Sequence, residues 1–306
     1  MSAISTNALS KSFGNLEAVR DVTLDVAEGE VFGLIGPNGA GKTTLIRLLC
    51  GLYTPTAGGG SVLGLDIARE RSRIRAQVGY MSQSNGLYGD LSVDENIRLY
   101  ADLYGVRDPA WIDQVRHWLS LQDVGRHVVA TLPTGVRQRA ALAAVMAHHP
   151  RLMVLDEPTS GVDPVARESM WDLLGEIARG GVTVLVTTHV MAEARRCDRL
   201  ALITGGRLVA TDEPETLIRR SGVAIVVVDA SPWGEAFARI QALWPGATLF
   251  GTRTHIPVER GEVVEPRVRE VLADLDVRSI AWREPSMEDA FIALVAAAGA
   301  VTVTDH

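Results

Sequence analysis

The stretch Gly36-Pro37-Asn38-Gly39-Ala40-Gly41-Lys42-Thr43-Thr44 constrains this chain more than any other. It fits the spacing G-x-x-x-x-G-K-[ST]. An apolar run, Val31–Ile35, precedes it and reads as a buried strand. A helical stretch, Thr43 to Leu52, follows. Glycines in such a loop let successive backbone N–H groups turn toward one centre, making a concave nest for an anion. The helix N-terminus adds unpaired N–H groups and the positive end of its dipole. Lys42 is placed to reach the β- and γ-phosphates of a nucleotide as a point charge, and Thr43 to offer a hydroxyl to Mg²⁺. A glycine-rich turn with a chance lysine is the bland alternative, and the flanking strand and helix weigh against it.

A second motif carries the complementary chemistry. Leu152-Met153-Val154-Leu155-Asp156-Glu157 is an apolar strand that ends in two carboxylates. Alternation along a strand sends Asp156 and Glu157 to different sides. Asp156 would hold Mg²⁺ through water, and Glu157 would polarise an attacking water. Phosphoryl transfer asks for such positioning and charge neutralisation more than for covalent chemistry. Alone, an acidic strand end is more often a cap for the next helix; the upstream phosphate loop favours the catalytic role.

The 306 residues suffice for one large or two modest domains, and 47% are apolar, enough for a buried core. No apolar run reaches the roughly 18 residues that span a bilayer. Met1 to Ser10 lacks the order of a secretory signal. The expected location is therefore the cytosol, with any membrane attachment supplied by a partner. Cys50 and Cys197 are unclustered and read as packing residues. A formal net charge of -7 argues against a broad basic surface for nucleic acid.

Residues 1–215 alternate strand-like and helix-like stretches, which predicts an α/β domain on a largely parallel sheet, with a mostly helical insertion at about 84–150. Asp108-Pro109 reads as a helix start, after which Trp111, Ile112, Val115, Trp118 and Leu119 share one face and are expected in the core. Leu152–Leu155 and Val182–Thr187 read as buried strands, and Leu200–Ala210 as a hairpin turning at Gly205-Gly206. After Glu215 the order β-α-β-β-α-β over 221–306 predicts a small ferredoxin-like α+β domain, with a last helix at Met287–Ala298. No constellation there carries chemistry, so it reads as an accessory or regulatory domain.

Over residues 3–215 these motifs resemble the nucleotide-binding subunits of ABC transporters. The resemblance implies a P-loop ABC cassette, ATP and Mg²⁺ as ligands, and hydrolysis coupled to a separate transmembrane permease. It implies further site residues by position. Phe13 sits where the family stacks an aromatic on adenine. Gln83, in Gly79-Tyr80-Met81-Ser82-Gln83, matches the glutamine that senses the γ-phosphate; with Thr43 and Asp156 it joins the metal set. Gly161-Val162-Asp163 resembles the loop that crosses the dimer interface, and His189 the histidine that contacts the γ-phosphate. The stretches Leu87–Asn96 and Pro285–Phe291 are typical of subunits serving ABC-2 type exporters.

One motif departs from the family. The signature Leu-Ser-Gly-Gly-x-x-Gln is here Leu132-Pro133-Thr134-Gly135-Val136-Arg137-Gln138. Pro133 provides neither hydroxyl nor N–H, Thr134 offers a hydroxyl one position later, and Gly135 keeps the backbone donor. A related exporter subgroup carries a similar Leu-Pro-x-Gly form, which implies a working site; a crippled composite site is the competing reading. The implied assembly is a homodimer at the inner face of the membrane. Each site would join Phe13, residues 36–44, Gln83, Asp156, Glu157 and His189 of one copy to Thr134, Gly135 and Asp163 of the other. The rival functions are a soluble ABC ATPase acting on ribosomes or nucleic acid, which usually carries two cassettes or a long coiled coil, and a non-hydrolysing regulatory subunit. Arg69, Glu70, Arg71, Arg73 and Arg75 read as a solvated face, and His148-His149 lacks further ligands at zinc spacing.

Overall fold

A computed structural model describes residues 1–84 and 86–299. It divides into two compact units, Met1–Glu213 and Pro214 onward. The first unit opens with strands β1 (Ser2–Phe13), β2 (Leu16–Val22) and β3 (Asp25–Ala27), followed by β4 (Val31–Ile35) and helix α1 (Lys42–Leu49). Next come β5 (Ala57–Val62), β6 (Leu65–Asp66), α2 (Arg71–Arg75) and β7 (Val78–Met81). The inserted helical segment holds α3 (Val93–Leu103), α4 (Pro109–Trp118) and α5 (Thr134–Met146). The unit closes with β8 (Leu152–Asp156), α6 (Pro164–Arg179), β9 (Thr183–Thr188), β10 (Arg199–Thr204) and β11 (Arg207–Asp212).

Two sheets organise these elements. One has the order β11-β10-β4-β9-β8-β7, parallel throughout except for the β10–β11 hairpin. Its central strands β4, β8 and β9 are buried along their whole length, as strands covered on both faces must be. Apolar side chains of one face pack on α1, and those of the other on α5 and α6. The second sheet, β2-β1-β5-β6 with β3 beside β1, is antiparallel. The sequence pattern did not announce it: Asn7, Ser10 and Lys11 break the alternation in β1, and Gly58-Gly59-Gly60 leaves β5 without a hydrophobic signal.

Helix starts in the insertion follow local chemistry. Ser92 Oγ accepts from Glu95 N, and Ser92 N donates to Glu95 Oε2 at 2.8 Å, a reciprocal cap. The bonds that Ser92 N, and then Ser92 Oγ, donate to the Glu95 carboxyl hold it below its usual range. Buried Asn96 accepts from Tyr88 N at 2.8 Å and donates to Tyr88 O at 3.0 Å, so the Leu87–Asn96 stretch closes on itself. Pro109 opens α4 behind an Asp108 cap. Trp111 is half-buried and packs against the core, whereas Trp118 departs from expectation at 45% exposed; both line a cavity of about 450 Å³ with Met153 and Ile177. The arginine-rich α2 is also not simply solvated. Arg71 and Arg75 donate to Gly51 O at 3.0 and 2.8 Å, and Arg71 to Leu52 O at 3.1 Å. These carbonyls follow the C-terminus of α1, where acceptors outnumber donors.

The second unit comprises α7 (Pro214–Arg220), β12 (Val223–Ser231), α8 (Trp233–Leu243), β13 (Thr248–Phe250), β14 (Arg253–Glu259), α9 (Glu265–Val271), β15 (Asp276–Arg283) and α10 (Met287–Ala297). Its antiparallel sheet runs β13-β14-β12-β15, the ferredoxin-like arrangement of a β-α-β-β-α-β chain. Val226, Val228, Ile240, Ile256, Val268 and Leu272 form its core. Ser286 and Asp289 make a second reciprocal cap, and Arg283 donates to Asp289 Oδ2 at 2.9 Å. Burial alone would raise the Asp289 carboxyl; the bonds from Ser286 and Arg283 outweigh it and hold the group low. That cap is the physical content of the Pro285–Phe291 motif.

Candidate functional site

Register brings the motifs together. In the parallel sheet Asp156 pairs with Thr187, Ile35 with Thr188, and Met81 with Leu155. The loop after β4, the acidic end of β8, the end of β9 and Ser82-Gln83 after β7 therefore emerge at one carboxyl edge, where open α/β sheets bind ligands.

The phosphate loop turns around backbone that no Cβ could share. A Cβ on Gly36 would lie 2.1 Å from Ile203 O, and one on Gly41, which has φ +101°, would lie 2.4 Å from Ala18 O. Gly206 N donates to Ala40 O at 3.0 Å, and Arg20 N to Gly206 O at 2.8 Å, so the β10–β11 turn buttresses the loop. Gly41 caps α1, whose first turn holds no acidic residue. A cavity of about 580 Å³ opens there, lined by Asn38–Thr44, Gln83, Glu157, Ala18 and Gly205-Gly206 among others. Ala18 escaped the sequence reading, and the Gly205-Gly206 turn was read as a hairpin turn without a part in the site.

Charges in this cavity are few and held. Lys42 is 6% exposed; its Nζ donates to Gly36 O at 2.8 Å and Pro37 O at 3.1 Å. Burial pushes its ammonium below the ordinary lysine value, and the carboxylates of Glu157 and Asp156 partly offset that. Asp156 accepts from Thr43 Oγ1 at 3.2 Å through one oxygen and from Thr187 Oγ1 at 2.6 Å through the other. Glu157 Oε2 accepts from Gln83 Nε2 at 3.3 Å, and its Oε1 lies 3.2 Å from His189 Nδ1. Glu157 N donates to both O and Oγ1 of Thr187, each at 3.1 Å. Glu157 has φ +52°, a left-handed conformation that costs a non-glycine residue about 1–2 kcal/mol and gathers at functional sites.

Gly36, Pro37, Asp156 and His189 are off the cavity wall but contact Lys42, Thr43 or Glu157 on it, whereas Phe13, Thr134, Gly135 and Asp163 lie outside it without such a contact. Phe13 ends β1 opposite Leu16, which lines the cavity; the residue is 44% exposed and its ring meets Tyr53 edge-on at 5.4 Å. Thr134 and Gly135 begin α5 after Pro133. They face their own chain's 161–166 segment: Thr134 Cγ2 lies 3.9 Å from the Cβ position of Gly161, and Ala166 Cβ lies 3.3 Å from that of Gly135. Asp163 caps α6, accepting from Val165 N and Ala166 N at 3.1 and 3.0 Å.

The donor set fits Mg²⁺. Thr43 and Asp156 offer hard oxygens 3.2 Å apart, the donor type Mg²⁺ prefers, and would hold the ion directly or through its retained waters.

A family model described as "ABC transporter" matches residues 19–160. Over 303 residues the chain is 34% identical to "Daunorubicin resistance ATP-binding protein DrrA3" of Streptomyces coeruleorubidus, covering 95% of each chain. The chain belongs to the ABC transporter family. It is an ATP-binding cassette of that family. It is also 42% identical over 221 residues to "Probable multidrug ABC transporter ATP-binding protein YbhF" of Escherichia coli (strain K12). That match takes in 71% of this chain and 38% of YbhF, so the chain spans well under half of that relative. Among solved structures, a dimeric ATP-binding cassette in a post-hydrolysis state, bound to ADP and Pi, superposes with a TM-score of 0.63 at 25% identity, covering 69% of this chain and 98% of that one. This ABC cassette thus shares its fold with a cassette whose solved structure holds ADP and Pi. No helix among the described residues is long and apolar enough to cross a membrane.

Proposed function

We propose that two copies of this cassette sandwich two Mg·ATP molecules and drive an export permease, a separate membrane-embedded subunit, from the inner face of the membrane. The observation that carries the reading is the joining of Lys42, Thr43, Asp156, Gln83, Glu157 and His189 through bonds and cavity walls at one sheet edge. The loop of residues 36–44 cradles the phosphates, and Lys42 turns from the Gly36 and Pro37 carbonyls to them. Thr43, Gln83 and Asp156 would hold Mg²⁺, which when bound neutralises phosphate charge. Glu157 accepts the proton of the attacking water. His189 and Gln83 orient that carboxylate and sense the γ-phosphate, and Phe13 stacks on the base. Thr134, Gly135 and Asp163 of the second copy complete the site. ATP then binds the copies together, and its hydrolysis releases them, a two-state element able to move a permease. The export role rests on the relatives' names, daunorubicin resistance and multidrug transport. Residues 221–306 act as an accessory domain.

The test is Glu157→Gln in the purified full chain. Hydrolysis should fall by about 10²–10⁴-fold, the range of a general base, while ATP binding is kept and a closed dimer accumulates in size-exclusion chromatography. Wild-type turnover in this variant removes Glu157 from the role of base. Affinity capture from detergent-solubilised membranes tests the partner: enrichment of ribosomal RNA in place of a membrane protein overturns the export reading.

A further inference from the structure

A second buried carboxylate lies beside the reacting groups, and no motif claims it. Glu193 belongs to the 3-10 turn Met191–Arg196, shortly after His189, and is 4% exposed. Its Oε1 accepts from Thr159 Oγ1 and its Oε2 from Thr188 Oγ1, both at 2.6 Å. Arg167 Nε stands 3.6 Å from Oε1, and Arg167 Nη2 donates to Val162 O at 3.2 Å. Thr188 Oγ1 also accepts from Val190 N at 2.9 Å, so the hydroxyl is fixed from both sides.

A buried carboxylate is costly unless it is paired and hydrogen-bonded, so packing alone does not account for one here. Its two oxygens reach two different segments. Thr159 lies just past Glu157, at the start of the loop that leads to Asp163. Thr188 immediately precedes His189. Glu157 itself is held in the left-handed region, and such a conformation persists only where the surroundings over-determine it. Thr187 fixes the backbone of Glu157 on its amino side. Glu193, through Thr159, is the corresponding anchor on its carboxyl side.

We propose that Glu193 is a positioning residue for hydrolysis: it ties the segment after Glu157 to the segment before His189, and through Arg167 to the loop carrying Asp163. The carboxylate, the histidine and the interface loop are then set as one unit. This inference rests on the roles proposed above for Glu157 and His189.

The test compares full-length wild type with Glu193→Gln, Thr159→Val, Thr159→Ser, Thr188→Val and Thr188→Ser in steady-state ATPase assays. Glu157→Gln and His189→Ala serve as references. Glu193→Gln and both valine variants should lower kcat about tenfold and leave KM for Mg·ATP within about twofold, the signature of an interaction used in the transition state. The serine variants keep the hydroxyl and should restore kcat. Adding Thr159→Val to Glu193→Gln should lower kcat no further, because the link it removes is already broken. The threonine variants keep the test alive should Glu193→Gln fail to fold. Wild-type kcat in the valine variants overturns the inference, as does a loss of kcat that serine does not restore. If Glu157→Gln and His189→Ala also keep full turnover, the site reading fails first. If only those two lose turnover, the role of Glu193 alone is refuted.

Discussion

The cassette contains two helix N-termini of the same chemical kind, at α1 and α5. Each start carries a glycine, Gly41 or Gly135; neither N-cap makes a side-chain hydrogen bond, and neither first turn holds an acidic residue. Both therefore present orphan N–H groups and positive dipole potential to an anion. They differ in their surroundings. Around α1 the chain itself supplies an ammonium, a threonine–aspartate pair, a glutamine and a glutamate. Around the start of α5 it supplies the 161–166 segment and a 3.5 Å contact from Arg137 Nη2 to Thr134 Oγ1. One terminus has the reacting groups within its own chain. The other, on the proposed reading, is a donor surface for a phosphate that a second copy would bring to it.

Separating the two halves by mutation gives the largest expected effect. Lys42→Ala removes the only cationic side chain lining the described phosphate-loop cavity apart from Arg20, and should weaken ATP binding and abolish measurable turnover, a loss of about 10²–10³-fold. Gly135→Asp puts a negative charge at the start of α5; it should abolish turnover equally but leave ATP binding to the isolated protein unchanged, as read by isothermal titration. Mixing the two inactive proteins should then restore activity. Each mixed dimer contains one site with intact Lys42 and intact Gly135, and random pairing predicts about a quarter of wild-type turnover. A mixture as dead as its components breaks the comparison, because the α5 terminus would then not complete a neighbour's site.

The first half was readable in the sequence because its elements are local. Val31–Ile35, the glycines, Lys42 and Thr43 are contiguous, and Leu152–Glu157 is an unbroken apolar run with charges at its end. The ferredoxin-like order over 223–283 was legible for a similar reason: short strands and helices alternate there with turn residues between them. What sequence could not display is pairing across the sheet. Thr187 ranks as an ordinary β-branched strand residue until its register opposite Asp156 is known. Ala18 and Gly206 matter through backbone atoms, which carry no side-chain signal. The antiparallel sheet was hidden by polar interruptions, and the arginines of α2 seemed solvated because their acceptors are carbonyls some twenty residues earlier.

Those arginines sharpen the comparison at a smaller scale. α1 is held at both ends, by the phosphate loop and by Arg71 and Arg75 on the Gly51 carbonyl, whereas α5 has no basic residue in its last turn. Arg71→Ala should cost about 1–2 kcal/mol in urea unfolding, since it leaves Leu52 O without its arginine donor and Gly51 O with Arg75 alone. Arg73, exposed and paired only with Glu70 on its own turn, should be worth less than about 0.5 kcal/mol when replaced by Ala. Equal losses for the two would mean that α2 serves as a charged surface and not as a clasp for α1.

Pro133→Ser should have the smallest effect, and it addresses the departure in the signature. Pro133 occupies the N-cap with φ -57° and ψ 150°, a backbone that serine adopts without strain. Serine there would supply a side-chain acceptor for the N2 or N3 amide and stabilise the protein by about 1 kcal/mol or less. If Thr134 already provides the hydroxyl that the neighbouring nucleotide needs, kcat should change by less than about threefold, well under 1 kcal/mol in the barrier. A rise of tens of fold would mean that the native Leu-Pro-Thr-Gly start lacks a donor that catalysis uses. The α5 terminus would then be the weaker half by construction, and the two helix starts would differ in chemistry as well as in surroundings. A gain in stability with kcat unmoved would instead assign Pro133 to the geometry of the helix start and leave the phosphate contact to Thr134 and the Gly135 amide.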